Sequence, residues 1–304
     1  MRFCTTAVLV LIIAVGSSAA PVLSKRADID AIILQYALTL EHLENAFYKK
    51  ALSTWTLESF VDAGLSADLY NELKFVTHDE QSHVTYLTAG LTAAGAAPVE
   101  ACTYDFPMST PQEFVKLASM IEGVGVSAYL GAAPLVTSSA YLTAAGSILV
   151  TEAIHQSTLR GAADEIPMAN PYGTPLGFNA VYSIASLFIT DCPSTNMALP
   201  VMALPALTVA SGMPTAIDST IDLKPSAMPT GTCYATFCSG LMSIAVPVVA
   251  NGDYFTAVVP AGIEGQSYVF LTSDNSGNVT DASIVAGPSI IEVTPSAPTF
   301  DVSV

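Results

Sequence analysis

The sequence contains few charged residues, and basic residues are the scarcest of them. Its 304 residues include 9 Lys and Arg against 26 Asp and Glu, for a formal net charge of −17. Binding to a nucleic-acid backbone needs a basic patch, and so few scattered cations exclude one. Hydrophobic residues make up 51% of the chain and charged residues 12%, which excludes a largely disordered protein. A chain of this length is expected to form about two domains.

Charged residues are also missing from a long stretch near the N-terminus. After one arginine comes an uncharged run over Phe3–Ala20, which ends in small residues. This pattern predicts a secretory signal peptide over residues 1–19, because its apolar core is short for a membrane span. A short pro-segment, 20–26, would end at the dibasic pair Lys25-Arg26. We therefore expect a secreted or cell-wall protein with no transmembrane span after the signal is removed.

Cysteine is scarce too, and one of the five, Cys4, lies in the predicted signal. The four that remain are an even number, which in a secreted chain predicts two disulfides with three pairings open. Their positions favour Cys102–Cys192 and Cys233–Cys238, because each pair would then lie within one predicted domain. The sequence has no Cys-x-x-Cys motif, which argues against a zinc knuckle.

Apolar residues at steps of three and four predict helices in the first part of the chain. The third helix has the clearest start, with Thr110 as N-cap, Pro111 in the first turn and Glu113 completing a capping box. Four long helices in series predict an antiparallel four-helix bundle over residues 27–192. The predicted helices cover about 28–52, 66–94, 110–130 and 138–160, with a shorter fifth at 178–189.

The composition changes after Cys192. A linker is predicted over 193–205 and a small β-sandwich-like domain over 206–304, because short Val-, Ile- and aromatic-rich runs alternate there with turn residues. This region has no histidine and few acids, so we expect a packing, glycan-contacting or partner-binding module. Its loop at Asn278 carries the only N-glycosylation sequon. The predicted strands cover 243–249, 254–259, 267–272, 283–285 and 290–293.

Histidine occurs only four times, and two of the four stand in one repeated pattern. A glutamate precedes each by three residues, so both side chains share one face of a helix. The other two long helices each carry a glutamate followed seven residues later by a tyrosine. The result is an internal repeat of two helix pairs, Glu-x6-Tyr then Glu-x-x-His. Its members are Glu41, Tyr48, Glu80, His83, Glu122, Tyr129, Glu152 and His155.

Four glutamates and two histidines facing each other in a bundle match the ligand needs of two divalent metal ions. Without cations, four buried carboxylates would repel one another and take up protons. Glu44 also lies near the apolar face of the first helix, so it is an alternative to Glu41 or an added acid. Two interpretations stay open for Tyr48 and Tyr129: core residues with satisfied hydroxyls, or donors to a ligand glutamate.

These motifs resemble the ferritin-like superfamily of di-metal carboxylate proteins. Within it, they are most similar to the secreted fungal ferritin-like stress-response proteins and the plant desiccation-related proteins. The resemblance extends over about residues 28–190 and leaves the β region unexplained. It rests on four stretches, Tyr36–Tyr48, His78–His83, Ile121–Gly123 and Thr151–His155.

The resemblance implies an α+β multidomain chain, with a ferritin-like bundle and a short fifth helix before the β-sandwich-like domain. It implies two divalent metal ions, iron or manganese. In this scheme Glu80 and Glu152 bridge the two metals. Glu41 and Glu122 are then terminal ligands, and His83 and His155 each bind one metal.

Two hypotheses for function follow. The first is a secreted stress- or redox-related protein with ferroxidase-like or manganese-catalase-like chemistry, whose partners are metal ions and O2 or peroxide. The second is a non-catalytic secreted or cell-wall structural protein that uses the bundle as a scaffold. In either case the Ala-rich helices suit packing against the β module or another copy of the chain, and the expected partners include a second copy or the cell wall. The sequence assigns no catalytic residue.

Overall fold

A computed structural model describes residues 21–210 and 215–298, with side chains described from residue 29 onward. The predicted signal peptide therefore lies outside the described residues. Residues 21–26 of the predicted pro-segment form the start of the first helix. Within the described part of the chain, no helix has an apolar stretch of the length needed to cross a membrane.

The first part of the chain is helical, and the four long helices lie where the sequence predicted them. Ser66 and Thr110 cap two of them by accepting the N–H groups of Leu69 and Glu113. The Glu113 carboxylate accepts the N–H of Ser109, one residue before the predicted capping-box partner. A six-residue helix was not predicted. The helices are α1 Pro21–Thr54, α2 Leu57–Asp62, α3 Ala67–Ala93, α4 Pro111–Ala132, α5 Ser139–Ala162 and α6 Phe178–Ala185.

The long helices pack as two pairs, α1 with α3 and α4 with α5, as the internal repeat predicts. The connection between the pairs contains strand β1 (Thr103–Tyr104), which pairs with β2 (Ile189–Asp191) at the end of the helical region. The disulfide Cys102–Cys192 lies beside this small sheet and joins residues 90 positions apart. The crossover is therefore fixed to the end of the bundle by both hydrogen bonds and a covalent link.

The second predicted disulfide is wrong in this structure, because Cys233 and Cys238 are both free thiols. Cys233 immediately precedes a strand, Tyr234–Ser239, that contains Cys238. Side chains five positions apart along extended chain point to opposite faces of the sheet, and their Cα atoms lie roughly 16 Å apart. A disulfide needs Cα atoms within about 7 Å. Membership of one domain was too weak a criterion for pairing.

The second part of the chain is a β-sandwich of two four-stranded antiparallel sheets, ordered β10-β9-β5-β6 and β3-β4-β8-β7. Apolar side chains from both sheets, such as Phe237 and Phe255, share one core. Strands β3, β4, β5 and β7 were not predicted, and the two predicted strands near the C-terminus are one strand. The strands are β3 Leu207–Val209, β4 Thr220–Pro225, β5 Tyr234–Ser239, β6 Met242–Pro247, β7 Val249–Asn251, β8 Tyr254–Val258, β9 Gly265–Thr272 and β10 Ile284–Val293.

The sandwich packs directly on the bundle. The Tyr268 hydroxyl lies 2.8 Å from the Ser127 hydroxyl and donates to the Gly123 carbonyl at 3.0 Å. The buried Arg160 guanidinium donates to both carboxylate oxygens of Glu292, at 2.8 and 2.9 Å. Aromatic side chains of β9 also belong to the same apolar core as the helices. The β region is thus an integral wall of the helical domain, packed along α4 and α5.

Candidate metal centre

The first group of candidate ligands surrounds His83, which α3 places inside the bundle. The His83 Nδ1 atom lies 3.1 Å from Glu41 Oε2, 3.4 Å from Glu80 Oε2 and 3.3 Å from Glu152 Oε1. Ligand atoms from all four residues lie within 4.8 Å of one another, and all four side chains are buried. Three helices therefore aim one imidazole and three carboxylates at one point.

The second group surrounds His155, the corresponding residue of α5. Its Nδ1 atom lies 3.1 Å from Glu80 Oε1 and 3.3 Å from Glu122 Oε2. With Glu152, these residues form a second buried set whose ligand atoms are within 4.8 Å of one another. Glu80 and Glu152 belong to both sets, and the two imidazole centroids are 6.5 Å apart. The six residues that the sequence singled out thus form two adjoining sites that share two carboxylates.

The two tyrosines of the repeat hold the two unshared glutamates, and they do so across the bundle. The Tyr48 hydroxyl on α1 donates to Glu122 Oε1 on α4. The Tyr129 hydroxyl on α4 donates to Glu41 Oε1 on α1, at 2.5 Å. Each tyrosine therefore orients the glutamate of the other helix, although the sequence spacing linked it with the glutamate of its own.

Asp79 is part of this arrangement and was missed by sequence reasoning. Its Oδ2 atom lies 3.3 Å from His155 Nε2, so the outer nitrogen of that ring faces a carboxylate while Nδ1 faces the cluster. A carboxylate in this position fixes the tautomer and orientation of a ligand histidine. Asp79 adjoins Glu80 in sequence, but only the packing of α3 against α5 brings it to His155.

Glu44 is buried beside the cluster but belongs to neither ligand set. Glu41, one helical turn earlier, is the residue that approaches His83. Space at this level depends on Gly125 of α4: a Cβ atom there would lie 2.6 Å from Glu152 Oε2 and 2.9 Å from Glu44 Oε1. Any side chain at position 125 would collide with these two acids.

Burial without cations shifts the titration of these groups strongly. Burial raises the pKa of Glu80 to about 7, although the nearby imidazoles of His155 and His83 act in the opposite direction. Burial, together with repulsion from neighbouring carboxylates, also raises the pKa values of Glu152 and Glu44 well above the usual range. For His155, burial lowers the pKa, but the carboxylates of Glu122 and Glu80 outweigh it and raise the pKa to about 11.

The hydrogen-bonding pattern of the cluster fits bound metal ions. Both carboxylate oxygens of Glu80 and of Glu152, together with Glu122 Oε2 and His155 Nδ1, are buried without a hydrogen-bond partner among the residues that the structure describes. Folded proteins rarely leave so many buried polar atoms unpaired, because each loses its interactions with water. Oxygen and imidazole nitrogen atoms are suitable ligands for iron, manganese and zinc. The donor set and its unpaired atoms are therefore compatible with a di-metal site.

The family comparison agrees with this geometry. The sequence model of the ferritin-like domain family matches residues 29–165, which include all six candidate ligands. The match covers less than half of the chain, and within it residues 29–165 are ferritin-like. The resemblance predicted from the Glu and His pattern is confirmed, as is the α+β fold with antiparallel sheets after the ferritin-like helices. The match ends before α6, so the family model does not extend to the β-sandwich.

One curated relative and one solved structure are also similar to parts of this chain. Protein rds1 of Schizosaccharomyces pombe is 26% identical over 184 residues, which are 60% of this chain and 45% of the relative. This chain therefore spans less than half the length of that fungal relative. A conserved hypothetical protein, rv2844, from Mycobacterium tuberculosis is 17% identical, covers 48% of this chain and 99% of its own, and has a TM-score of 0.39.

Proposed function

We propose that this protein is a secreted ferritin-like metalloprotein that binds two iron or manganese ions and acts in stress or redox protection. The observation that carries the proposal is the pair of adjoining buried ligand sets, which share Glu80 and Glu152 and leave six polar atoms unpaired. Divalent cations would neutralise the four glutamate charges that the bundle interior otherwise has to accommodate.

Different side chains would have different roles in holding such a centre. Glu80 and Glu152 belong to both ligand sets and would help to hold both ions, while Glu41 with His83 and Glu122 with His155 would each hold one. Tyr129 and Asp79 hold a terminal ligand and a histidine ring in place by the contacts described above. When bound, two iron or manganese ions would supply a paired redox centre for chemistry with O2 or peroxide. The surrounding helices exclude bulk water from the ligand atoms.

Secretion and a role in stress are supported by different observations. The short apolar run at 1–19 and the dibasic pair after it are typical of a secreted precursor. The resemblance to fungal stress-response and plant desiccation-related proteins supports a protective role, and the match to a fungal relative is consistent with it. A glycan at Asn278 would suit a secreted chain, and this side chain is exposed in the loop between β9 and β10.

Metal analysis of the secreted protein tests the proposal. We expect about two iron or manganese ions per chain, and either O2 consumption after addition of Fe(II) or breakdown of peroxide by the manganese form. Protein that is isolated and reconstituted without stoichiometric metal would contradict the proposal. Stoichiometric metal with neither reaction would favour the second function, a secreted or cell-wall scaffold that metal only stabilises.

A further inference from the structure

A second feature of the molecule lies between the bundle and the sandwich and has no part in metal binding. It is a cavity of about 320 Å³ whose walls come from α1, α4, α6, β3 and β10. Most of its lining is apolar, including Leu43, Ile121, Phe188 and Ile290. Thr208 and Ser289 add hydroxyl groups on the sandwich side. Because both parts of the chain are needed to form its walls, the cavity gives the β-sandwich a role beyond packing.

The cavity is a cleft that is partly open to solvent, since Leu187 and Thr208 in its lining are exposed. Its apolar walls offer water few hydrogen-bond partners and therefore favour contact with an apolar molecule. Its volume falls in the range of small-molecule sites, which are mostly apolar with a few placed polar groups.

The polar group that could orient a ligand in this cavity is the carboxyl group of Glu44. Its side chain lines the cavity although the residue is only 4% exposed. It belongs to neither ligand set, and no hydrogen bond connects its carboxylate to another of the described residues. Unlike the oxygens of Glu80 and Glu152, those of Glu44 are not fully enclosed by protein, because the carboxyl group faces the cavity. A ligand in the cavity can therefore reach this group and supply the hydrogen-bond partner that the protein does not.

The position of Gly125 shows that Glu44 lies at the end of the cavity nearest to the candidate metal centre. This glycine also lines the cavity, and a Cβ atom there would meet both Glu44 and Glu152, a shared candidate metal ligand. The absence of a side chain at 125 thus leaves the acid of the cavity and the acid of the metal cluster next to each other. A molecule that reaches Glu44 would lie directly beside the candidate metal centre.

We infer that this cavity binds a neutral organic molecule with an apolar body and a single hydroxyl group, which is hydrogen-bonded to Glu44. A hydroxyl can donate to a carboxylate or accept from a carboxylic acid, so it satisfies Glu44 in either form. An ammonium group would lose its hydration against apolar walls and is disfavoured. Binding needs no metal, so this inference stands or falls separately from the proposed function.

The test compares binding of 4-pentylphenol and pentylbenzene to the full mature chain by equilibrium dialysis, with and without metal. We expect the phenol to bind about tenfold more tightly, which is the upper end of the usual contribution of a hydrogen bond. Glu44→Leu should remove this preference while pentylbenzene still binds. Loss of the preference without loss of binding separates the role of the acid from any effect on folding.

Two variants fill the cavity from different elements, so a folding failure in one leaves the other informative. Ala185→Phe on α6 and Val209→Trp on β3 should each weaken binding of both compounds by at least about tenfold. The control, Ala145→Phe, fills a separate cavity inside the bundle and should change neither affinity. The inference is overturned if neither compound binds, if the folded filling variants bind normally, or if Glu44→Leu keeps the preference for the phenol.

Discussion

At the centre of the helical bundle, five glutamates and two histidines are buried, whereas the interior of the β-sandwich is lined by apolar side chains. The few buried hydroxyls of the sandwich are paired: Thr236 with Thr272 at 2.7 Å, and Ser267 with the Glu264 carbonyl at 3.2 Å. In the bundle, by contrast, six ligand atoms of the cluster have no hydrogen-bond partner among the described residues.

This difference separates a part of the chain whose interior favours stability from one whose buried polar groups are compatible with metal binding. Unpaired buried carboxylates oppose folding, while the apolar core of the sandwich favours it. The sandwich and the apolar residues around the cluster therefore offset the free-energy cost of burying the unpaired carboxylates. The following predictions test this comparison.

The largest effect is expected from removing the two shared acids. In the double variant Glu80→Gln/Glu152→Gln, both ligand sets lose charge and metal binding should be abolished. Metal at a hundredfold excess over its Kd should stabilise the wild type by about 2.7 kcal/mol for each bound ion and the variant by nothing. Above pH 7, where Glu80 is mostly ionised in the folded metal-free protein, the metal-free variant should also unfold at a higher temperature than the metal-free wild type, because it lacks the repulsion between Glu80 and the neighbouring carboxylates.

Phe237→Ala in the sandwich core is the control for this prediction, and its response should be the opposite. The substitution should lower the free energy of unfolding by about 3–5 kcal/mol. The metal content of the folded protein should stay unchanged. Thermal unfolding with metal analysis measures both quantities. If the double variant keeps its metal, or if its metal-free form is less stable than the wild type above pH 7, the cluster is a structural network and the comparison fails.

The second prediction concerns pH and the metal-free protein. Glu80 has a pKa of about 7 in the folded state against an ordinary value of 4.5, so the folded state keeps a proton that the unfolded chain releases. Stability should therefore fall as pH rises from 4.5 to 7. The pKa of His155 is raised from 6.5 to about 11, so its titration should make stability fall further as pH rises over that higher range.

With metal present, the trend between pH 4.5 and 7 should reverse, because protons and metal ions compete for the same ligand atoms. Unfolding temperatures measured across this range, with and without metal, should give curves of opposite slope. Parallel curves would show that the shifted groups do not bind the metal.

The smallest effect is expected at Asp79, which lies 3.3 Å from His155 at the half-exposed edge of the cluster. Asp79→Asn should weaken binding at the His155 set by about tenfold, within the usual range for a residue that orients a ligand, and leave the His83 set unchanged. Titration of the two sites by calorimetry measures this. The control is Glu72→Gln, an exposed acid two turns earlier on α3. Equal weakening in both variants would indicate only a loss of general negative charge.

The spacing of Glu and His was enough to predict which six side chains meet, because residues three apart on a helix share a face whatever the helix packs against. The crossed contacts of Tyr48 and Tyr129 were not predictable in the same way. Spacing assigns each tyrosine to the glutamate of its own helix, while the partner depends on how α1 and α4 face each other.

The strands were harder to predict than the helices for a related reason. β5 is buried on both faces over most of its length and contains Ala, Ser and Cys, so it lacks the alternation typical of a half-buried strand. β4 contains Asp222, Lys224 and Pro225 among its alternating apolar residues, which hides the pattern. The contact between sandwich and bundle depends on single long-range pairs such as Arg160 with Glu292, and no local pattern reveals these.

In the unfolded chain, the disulfide Cys102–Cys192 restricts some of the candidate ligands and not others. It closes a loop of 90 residues that contains Glu122, Glu152 and His155, whereas Glu41 and the Glu80–His83 pair lie outside it. A loop of this length reduces the chain entropy of the unfolded state by about 4–5 kcal/mol at room temperature. Half of the ligand set thus stays within a restricted volume when the chain is unfolded. Under oxidising conditions, recovery after denaturation would begin with those three residues already confined together.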